Sequence, residues 1–336
     1  MRTMILLVAA ACSSDASPPP APDGEPTRVL DLPPPSIPPI DVGSAAVEFY
    51  AGVAYDAHAE TLLDIFVQRA IPNAPLVIYI HGGGFIGGSR NTAYSGQSAE
   101  IAKTLSEGYS FATIDYRLLA EVDPDGVRKP LADAARALQF VRYHAEALHL
   151  DPARIAVQGG SAGAGTSLWL ATHDDLADPI SADPIARMST RVVAAAASNT
   201  QSTYDVLRWQ EIILDPFGLA IEPFIAEYEL EQRMASFYGV TSLADLALPD
   251  TVLYRADVDM IGMMSSDDPP IFVESDHASG EPRSEGELLH HPLHAKAVHD
   301  HAGAVGIPVT AYIPAYGIAT QPAISRWEFL RAALAE

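Results

Sequence analysis

Apolar residues change their spacing repeatedly along this chain, and each change marks an element. LLDIFVQ (Leu62–Gln68) alternates like an early antiparallel strand. PLVIYI before HGGG is a solid apolar run ending in glycines, the pattern of a strand buried on both faces. FATIDYRL reads as another strand. Between Lys129 and Leu150 apolar residues recur at Leu131, Ala135, Leu138, Val141, Ala145 and Leu148, a helical spacing. RIAVQGG then predicts a strand, and SAGAGTSLWLAT opens a helix at once. RVVAAAASN, PIFVES and VTAYIP supply three further strands. Helical stretches over about Pro292–Ala304 and Pro322–Leu334 bracket the last of them. Strands alternating with helices imply a mainly parallel central sheet flanked by helices.

One interval breaks this rhythm. From about 200 to 268 the pattern is helical and rich in aromatics, with Trp209, Phe217, Phe224, Tyr228, Phe237 and Tyr238, and it lies between two strands. It reads as a helical cap inserted into a domain spanning 45–336. The other end of the chain carries no such pattern. MRTMILLVAAAC holds one Arg, a short apolar run and small residues before Cys12, the layout of an export signal over 1–12. Small residues before the one cysteine of the chain resemble a lipobox, with Ala9 where Leu is usual three positions earlier; simple cleavage nearby is the alternative. Residues 13–44 are Ser- and Pro-rich (SSDASPPPAPDGEP, LPPPSIPPI), a composition that favours extended chain and reads as a linker. The expected location is the bacterial cell envelope as a lipoprotein, with a periplasmic or secreted protein as the alternative.

Charge narrows the partners. The chain has 43 acidic against 20 basic residues and a formal net charge of −23. Phosphate backbones need clustered Lys and Arg, so nucleic acid is not the expected partner. A membrane enters only through an N-terminal lipid anchor.

The chemistry concentrates around Ser161. Gly159-Gly160-Ser161-Ala162-Gly163 matches Gly-x-Ser-x-Gly, with a predicted strand before and a helix after, the context in which a serine is lifted onto a sharp elbow. Directly after the strand PLVIYI comes His81-Gly82-Gly83-Gly84-Phe85. Three glycines allow backbone N–H groups to turn toward a developing oxyanion, and Gly83 and Gly84 with the amide of Ala162 are the expected donors. A phosphate loop is the competing reading of the glycines, but no Lys-Ser/Thr pair follows. His81 is expected to steady the loop.

IHGGGFIGGS, IDYRL, the Asp-Pro before RIAVQGGSAGAG and the order of these motifs resemble the bacterial HGGG-type carboxylesterases, including the hormone-sensitive-lipase-like and acetyl- or feruloyl-esterase branches of the α/β-hydrolase superfamily. The likeness runs from about Leu62 to Ala171, about a third of the chain. It implies an α/β-hydrolase fold, a serine nucleophile at Ser161 and an oxyanion hole at Gly83, Gly84 and Ala162. Gly160 stands where many lipase-like members carry Asp, which points to the acetyl/feruloyl branch.

The resemblance also implies an acid after PIFVES and a histidine in the loop after VTAYIP. That loop, AYGIATQPA, contains no histidine, and the last His of the chain is His301. Asp276 follows its strand directly, and Glu287 closes an apparent insertion; either is an acid candidate. Six histidines fall between 277 and 301: His277, His290, His291, His294, His299 and His301. Pro292 suits the first turn of a helix, which puts His290 and His291 at its N-terminus, where the dipole keeps an imidazole neutral and able to accept a proton. They are the base candidates; a solvated surface helix is the alternative. His290 and His294 have a spacing that metal ligands use, but no carboxylate accompanies them at a known interval, so neither metal nor cofactor is expected. The function expected is hydrolysis of a small or polymer-linked carboxylic ester; the alternative is a binding protein, weakened or inactive as a catalyst, on the same scaffold.

Overall fold

The computed structural model describes residues 30–336, so the expected export signal, Cys12 and the first half of the expected linker lie outside the described residues. The unit from Asp31 to Glu336 is built on one sheet. Strands β1 (Val47–Ala54) and β2 (Leu62–Gln68) form an antiparallel pair, and β2 runs antiparallel to a later strand, as its alternation suggested. Next come β3 (Ala74–Ile80), the short helices α1 (Thr92–Gly96) and α2 (Ser98–Ser106), β4 (Ser110–Ile114), α3 (Arg128–Tyr143), β5 (Leu150–Gly160), α4 (Ala162–Thr172) and β6 (Ala195–Ser198). The interval predicted as a cap holds α5 (Ile221–Glu227), α6 (Glu231–Phe237), α7 (Pro249–Asp257) and α8 (Met260–Met263). The chain closes with β7 (Ile271–Glu274), α9 (Glu285–Leu289), α10 (Pro292–Val305), β8 (Val309–Ile313), β9 (Ile318–Ala319) and α11 (Arg326–Leu334).

The sheet order is β1-β2-β4-β3-β5-β6-β7-β8-β9, and every pair from β4 to β8 is parallel. Parallel neighbours need crossover helices, and those helices cover both faces. All seven residues of β3 are therefore buried, which accounts for its unbroken apolar run. Val77 and Tyr79 face a core shared with Ile101 and Leu105 of α2 and with Trp327 and Leu330 of α11. Helices α3, α4 and α10 pack against the sheet outside that core. Among the described residues no helix is long and apolar enough to cross a membrane.

Three local expectations are corrected. The helix read to Leu150 stops at Tyr143, because residues 144–149 turn back to start β5. The helix read from Pro322 starts at Arg326, where Ser325 caps it by accepting from the Glu328 amide at 3.2 Å. The linker read to residue 44 joins the domain earlier. Ser36 N–H donates to the Phe49 carbonyl at 2.8 Å, and Ile40 and Val42 pack against the core.

In the parallel part of such a sheet, loops at the carboxyl ends of the strands carry function. The single residue between β5 and α4 is Ser161, the loop after β3 holds the glycines, and the segment after β7 leads to α9. The loop after β8 has become a tight hairpin. Pro314–Tyr316 form one helical turn, Gly317 reverses the chain at φ 66°, and β9 pairs back on β8.

Candidate active site

Ser161 is the first residue after β5 and the last before α4, with no loop between them. Its backbone sits at φ 54°, ψ −123°, a conformation that costs on the order of 1–3 kcal/mol for a residue with a Cβ and persists only where packing imposes it. The packing is explicit. A Cβ on Gly163 would lie 2.0 Å from the Ile80 carbonyl oxygen, and one on Gly159 would lie 2.4 Å from the Gly163 carbonyl carbon. Both glycines are required because the elbow is pressed onto the end of β3. Ser161 N–H donates to the Ser198 carbonyl at 3.0 Å, and Tyr204 Oη donates to the Ala162 carbonyl at 2.7 Å, so both sides of the turn are tied down.

The glycine loop faces this elbow. Gly83, Gly84 and Phe85 take positive φ values of 113°, 60° and 63°. Phe85 tolerates that strain because its ring is buried against Tyr204, with centroids 5.4 Å apart in an edge-to-face arrangement. His81 is buried, stacks on Tyr116 at 4.2 Å and donates from Nδ1 to the Gly82 carbonyl at 2.7 Å. Tyr116 of the IDYRL motif returns a bond from its hydroxyl to the His81 carbonyl at 2.8 Å. Burial holds the His81 imidazolium form below its usual range. Its surroundings match a residue that steadies the loop. Gly84 and Ala162 line the same cleft as Ser161, and a Cβ on Gly82 would lie 3.2 Å from the Ser161 Cβ. Ala162 opens α4, so its N–H has no partner within the helix and lies at the positive end of the helix dipole.

Of the two base candidates, one meets the serine. His290 Nε2 lies 2.8 Å from Ser161 Oγ. It closes α9 as its C-terminal cap rather than opening α10. His291 is the residue that opens α10: its Nδ1 accepts from the Leu293 amide at 3.2 Å, and its Nε2 donates to the Gly280 carbonyl at 3.1 Å. His290 Nδ1 faces the Gly286 carbonyl oxygen at 3.0 Å, and the His290 backbone N–H donates to that same oxygen at 3.1 Å. A carbonyl can only accept, so Nδ1 carries the proton and the Nε2 lone pair points at the serine; the tautomer follows from the bonding pattern. Burial lowers the pKa of His290, with the His277 ring, stacked 5.4 Å away, adding to the effect.

Neither acid candidate hydrogen-bonds to this pair. Asp276 is exposed, and its amide bonds to Asn199 Oδ1 at 3.3 Å; Glu287 is exposed and accepts from the Arg283 amide at 2.7 Å. The partner of Nδ1 is a main-chain oxygen, which no reading of side-chain types could have found. Gln201 also escaped that reading, and His294, read there only by its spacing from His290, has a structural role. His294 is fully buried and donates from Nε2 to the Leu288 carbonyl at 3.2 Å, and Gln201 Nε2 donates to the Leu289 carbonyl at 2.7 Å. These bonds satisfy carbonyls at the end of α9 that the helix itself leaves unpaired.

A cleft leads to the serine from beneath the helices between β6 and β7. Its empty volume is about 820 Å³, solvent at the mouth included, and Val206, Trp209, Ile221, Phe224 and Met234 form much of its wall. Polar groups in its lining include Ser161, Gln201, Arg233 and Glu285. An apolar pocket with few convergent polar groups suits a small organic ligand.

Sheet order, elbow and glycine loop together place the molecule in a class: the chain is an α/β-hydrolase by fold. Its residues 63–219 match the BD-FAE family model. The chain is 30% identical over 148 residues to carboxylesterase NlhH of Mycobacterium tuberculosis, covering 43% of this chain and 42% of that protein. It is 36% identical over 109 residues to acetylcholinesterase of Gallus gallus, covering 31% of this chain and 14% of that protein. The aligned regions thus span less than half of these curated relatives. Among solved structures, a truncated carbohydrate esterase from gut microbiota aligns with a TM-score of 0.58 at 15% identity, covering 88% of this chain and 99% of that one. An acetyl ester-xyloside bifunctional hydrolase from Caldicellulosiruptor lactoaceticus aligns with a TM-score of 0.53 at 22% identity, covering 82% and 86% respectively.

Proposed function

We infer that this protein hydrolyses carboxylic esters through Ser161, with His290 as its general base. The observation that carries the reading is the 2.8 Å approach of an accepting imidazole nitrogen to a serine oxygen held on a strained elbow. Ser161 Oγ attacks the ester carbonyl carbon while its proton passes to Nε2. Negative charge develops on the carbonyl oxygen, where the amides of Gly83, Gly84 and Ala162 receive it. The imidazolium then gives its proton to the departing alkoxide, leaving an acyl-enzyme. Water repeats the sequence on that acyl group, and Ser161 is released. The Gly286 carbonyl does part of what a carboxylate does in a Ser-His-Asp triad: it fixes the tautomer and bonds to the imidazolium, without a full countercharge.

The cleft favours an acyl or alcohol group that is apolar or aromatic. The carboxylesterase and carbohydrate-esterase names of its relatives agree with an ester bond as the target. Export and lipid attachment at Cys12 belong to the same reading, resting on the N-terminal sequence alone. They would set the enzyme facing an ester carried by a nutrient or polymer outside the cell.

The test is turnover of p-nitrophenyl acetate and butyrate, with stoichiometric inactivation by a fluorophosphonate. A protein that neither turns over these esters nor takes up the reagent would instead be a ligand-binding relative on this scaffold. Two further outcomes are expected. Asp276→Asn and Glu287→Gln each keep kcat within about threefold of the parent, where loss of the acid in a complete triad costs about 10⁴. A large loss in either would assign that carboxylate to the imidazole. The pH profile carries a sign. Burial makes the imidazolium harder to form, so the neutral base survives to lower pH. The acid limb of kcat/KM should therefore fall below the ordinary imidazole value of about 6.5. A limb at or above that value contradicts a half-buried His290 base.

A further inference from the structure

The helix that delivers the base is too short to stand alone. α9 has five residues, and a single helical turn costs more in ordered backbone than its one or two hydrogen bonds return. Its orientation therefore comes from what grips it. At its start, Ser284 Oγ accepts from the Glu287 amide at 3.1 Å. At its end, His294 and Gln201 hold the Leu288 and Leu289 carbonyls. On the remaining side the grip comes from the helices over the cleft. Tyr228 Oη donates to the Arg283 carbonyl at 2.5 Å, and Arg233 of α6 pairs with Glu285, the first residue of α9. Glu285 adjoins Gly286, whose carbonyl sets the His290 ring. The same guanidinium leans on the glycine loop: a Cβ on Gly84 would lie 2.7 Å from Arg233 Nη2.

We propose that Arg233 is a positioning residue for His290, acting through Glu285 and α9 to hold the Gly286 carbonyl, and with it the imidazole, in line with Ser161. The proposal rests on the reading of His290 as the base. In this protein the general base is thereby coupled to the cap: α6 stays in place over the cleft only where the base helix is also in place. A cap that shifts takes the base with it. Groups facing the imidazole are His277 stacked on its ring and Ser161, with His294 of α10 near enough to interact with it, while Arg233 and Glu285 act through the helix.

The test uses the full chain with p-nitrophenyl butyrate. It compares Arg233→Met, Glu285→Gln, Arg233→Lys and the reversed pair Arg233→Glu/Glu285→Arg, with His290→Ala as the control. Displacing a reacting group by about 1 Å costs about a hundredfold, so the two neutralising variants are expected to lose tenfold to about a hundredfold in kcat, with KM nearly unchanged. Their acid limb should move upward toward ordinary imidazole as the ring gains solvent. Arg233→Lys and the reversed pair should recover most of the loss.

Single variants that keep kcat within about twofold of the parent would overturn the proposal. So would a reversed pair no better than the singles, because the guanidinium would then act on Gly84 by its own charge. If the neutralising variants do not fold, the lysine variant and the reversed pair carry the test, since both retain the ion pair. His290→Ala separates the two readings. Loss of turnover there with normal Arg233 variants removes only the positioning role, whereas normal turnover in His290→Ala removes the base and the positioning role together.

Discussion

Replacing His290 with alanine is expected to lower kcat by about 10⁴ to 10⁶, the range seen when a serine hydrolase loses its base. A serine hydroxyl at neutral pH is a poor nucleophile, and its power here comes from Nε2 at 2.8 Å, oriented to accept the proton. The substitution leaves the elbow, the glycine loop and the cleft in place. Substrate binding should therefore hold, with the loss falling on kcat. A residual rate above that in water is expected from the oxyanion donors alone. The space vacated adjoins Ser161, which lines the cleft, so added imidazole should return part of the rate in His290→Ala and none in Ser161→Ala. Steady-state kinetics with and without imidazole check both statements. A variant within about tenfold of the parent would mean that another group takes the proton.

Ser161→Ala is expected to cost as much. Alanine keeps the Cβ and with it the strain at φ 54°, so the substitution removes only the Oγ and its bond to His290, and the variant should melt close to the parent. The informative result is the combination. Nucleophile and base act as one unit, so Ser161→Ala/His290→Ala should be no slower than either single variant. Losses that multiply would show that Ser161 and His290 serve separate steps, contrary to the proton transfer drawn between them.

The parts of this site visible in the sequence are those where backbone geometry permits few residue types. Gly159 and Gly163 are legible because the elbow leaves no room for a Cβ, and the three glycines after His81 because the loop needs positive φ at Gly83 and Gly84. The parallel sheet was legible from its apolar runs, since strands covered on both faces have no alternative composition. The base was only half legible. Two adjacent histidines precede Pro292, and periodicity does not separate them. A finer rule would have done so: proline at the first helical position makes its predecessor the capping residue, which occupies His291 and leaves His290 free. Burial then replaces the helix dipole as the reason for a neutral ring. The partner of Nδ1 leaves no trace in the sequence, because every residue has a carbonyl and only the turn of α9 selects that of Gly286. The hairpin after β8 explains why histidine is absent from AYGIATQPA. Its chain is committed to β9 and to the turn at Gly317, whereas His290 reaches Ser161 from the end of α9.

The central claim is that Ser161 is a nucleophile activated by His290. The most direct measurement is the second-order rate of phosphonylation by a fluorophosphonate in the parent and in His290→Ala, with the modified peptide identified by mass spectrometry. The account expects a single adduct on Ser161 in the parent and a rate lower by at least about a thousandfold in the variant. An adduct on a different residue, or equal rates in the two proteins, would contradict it.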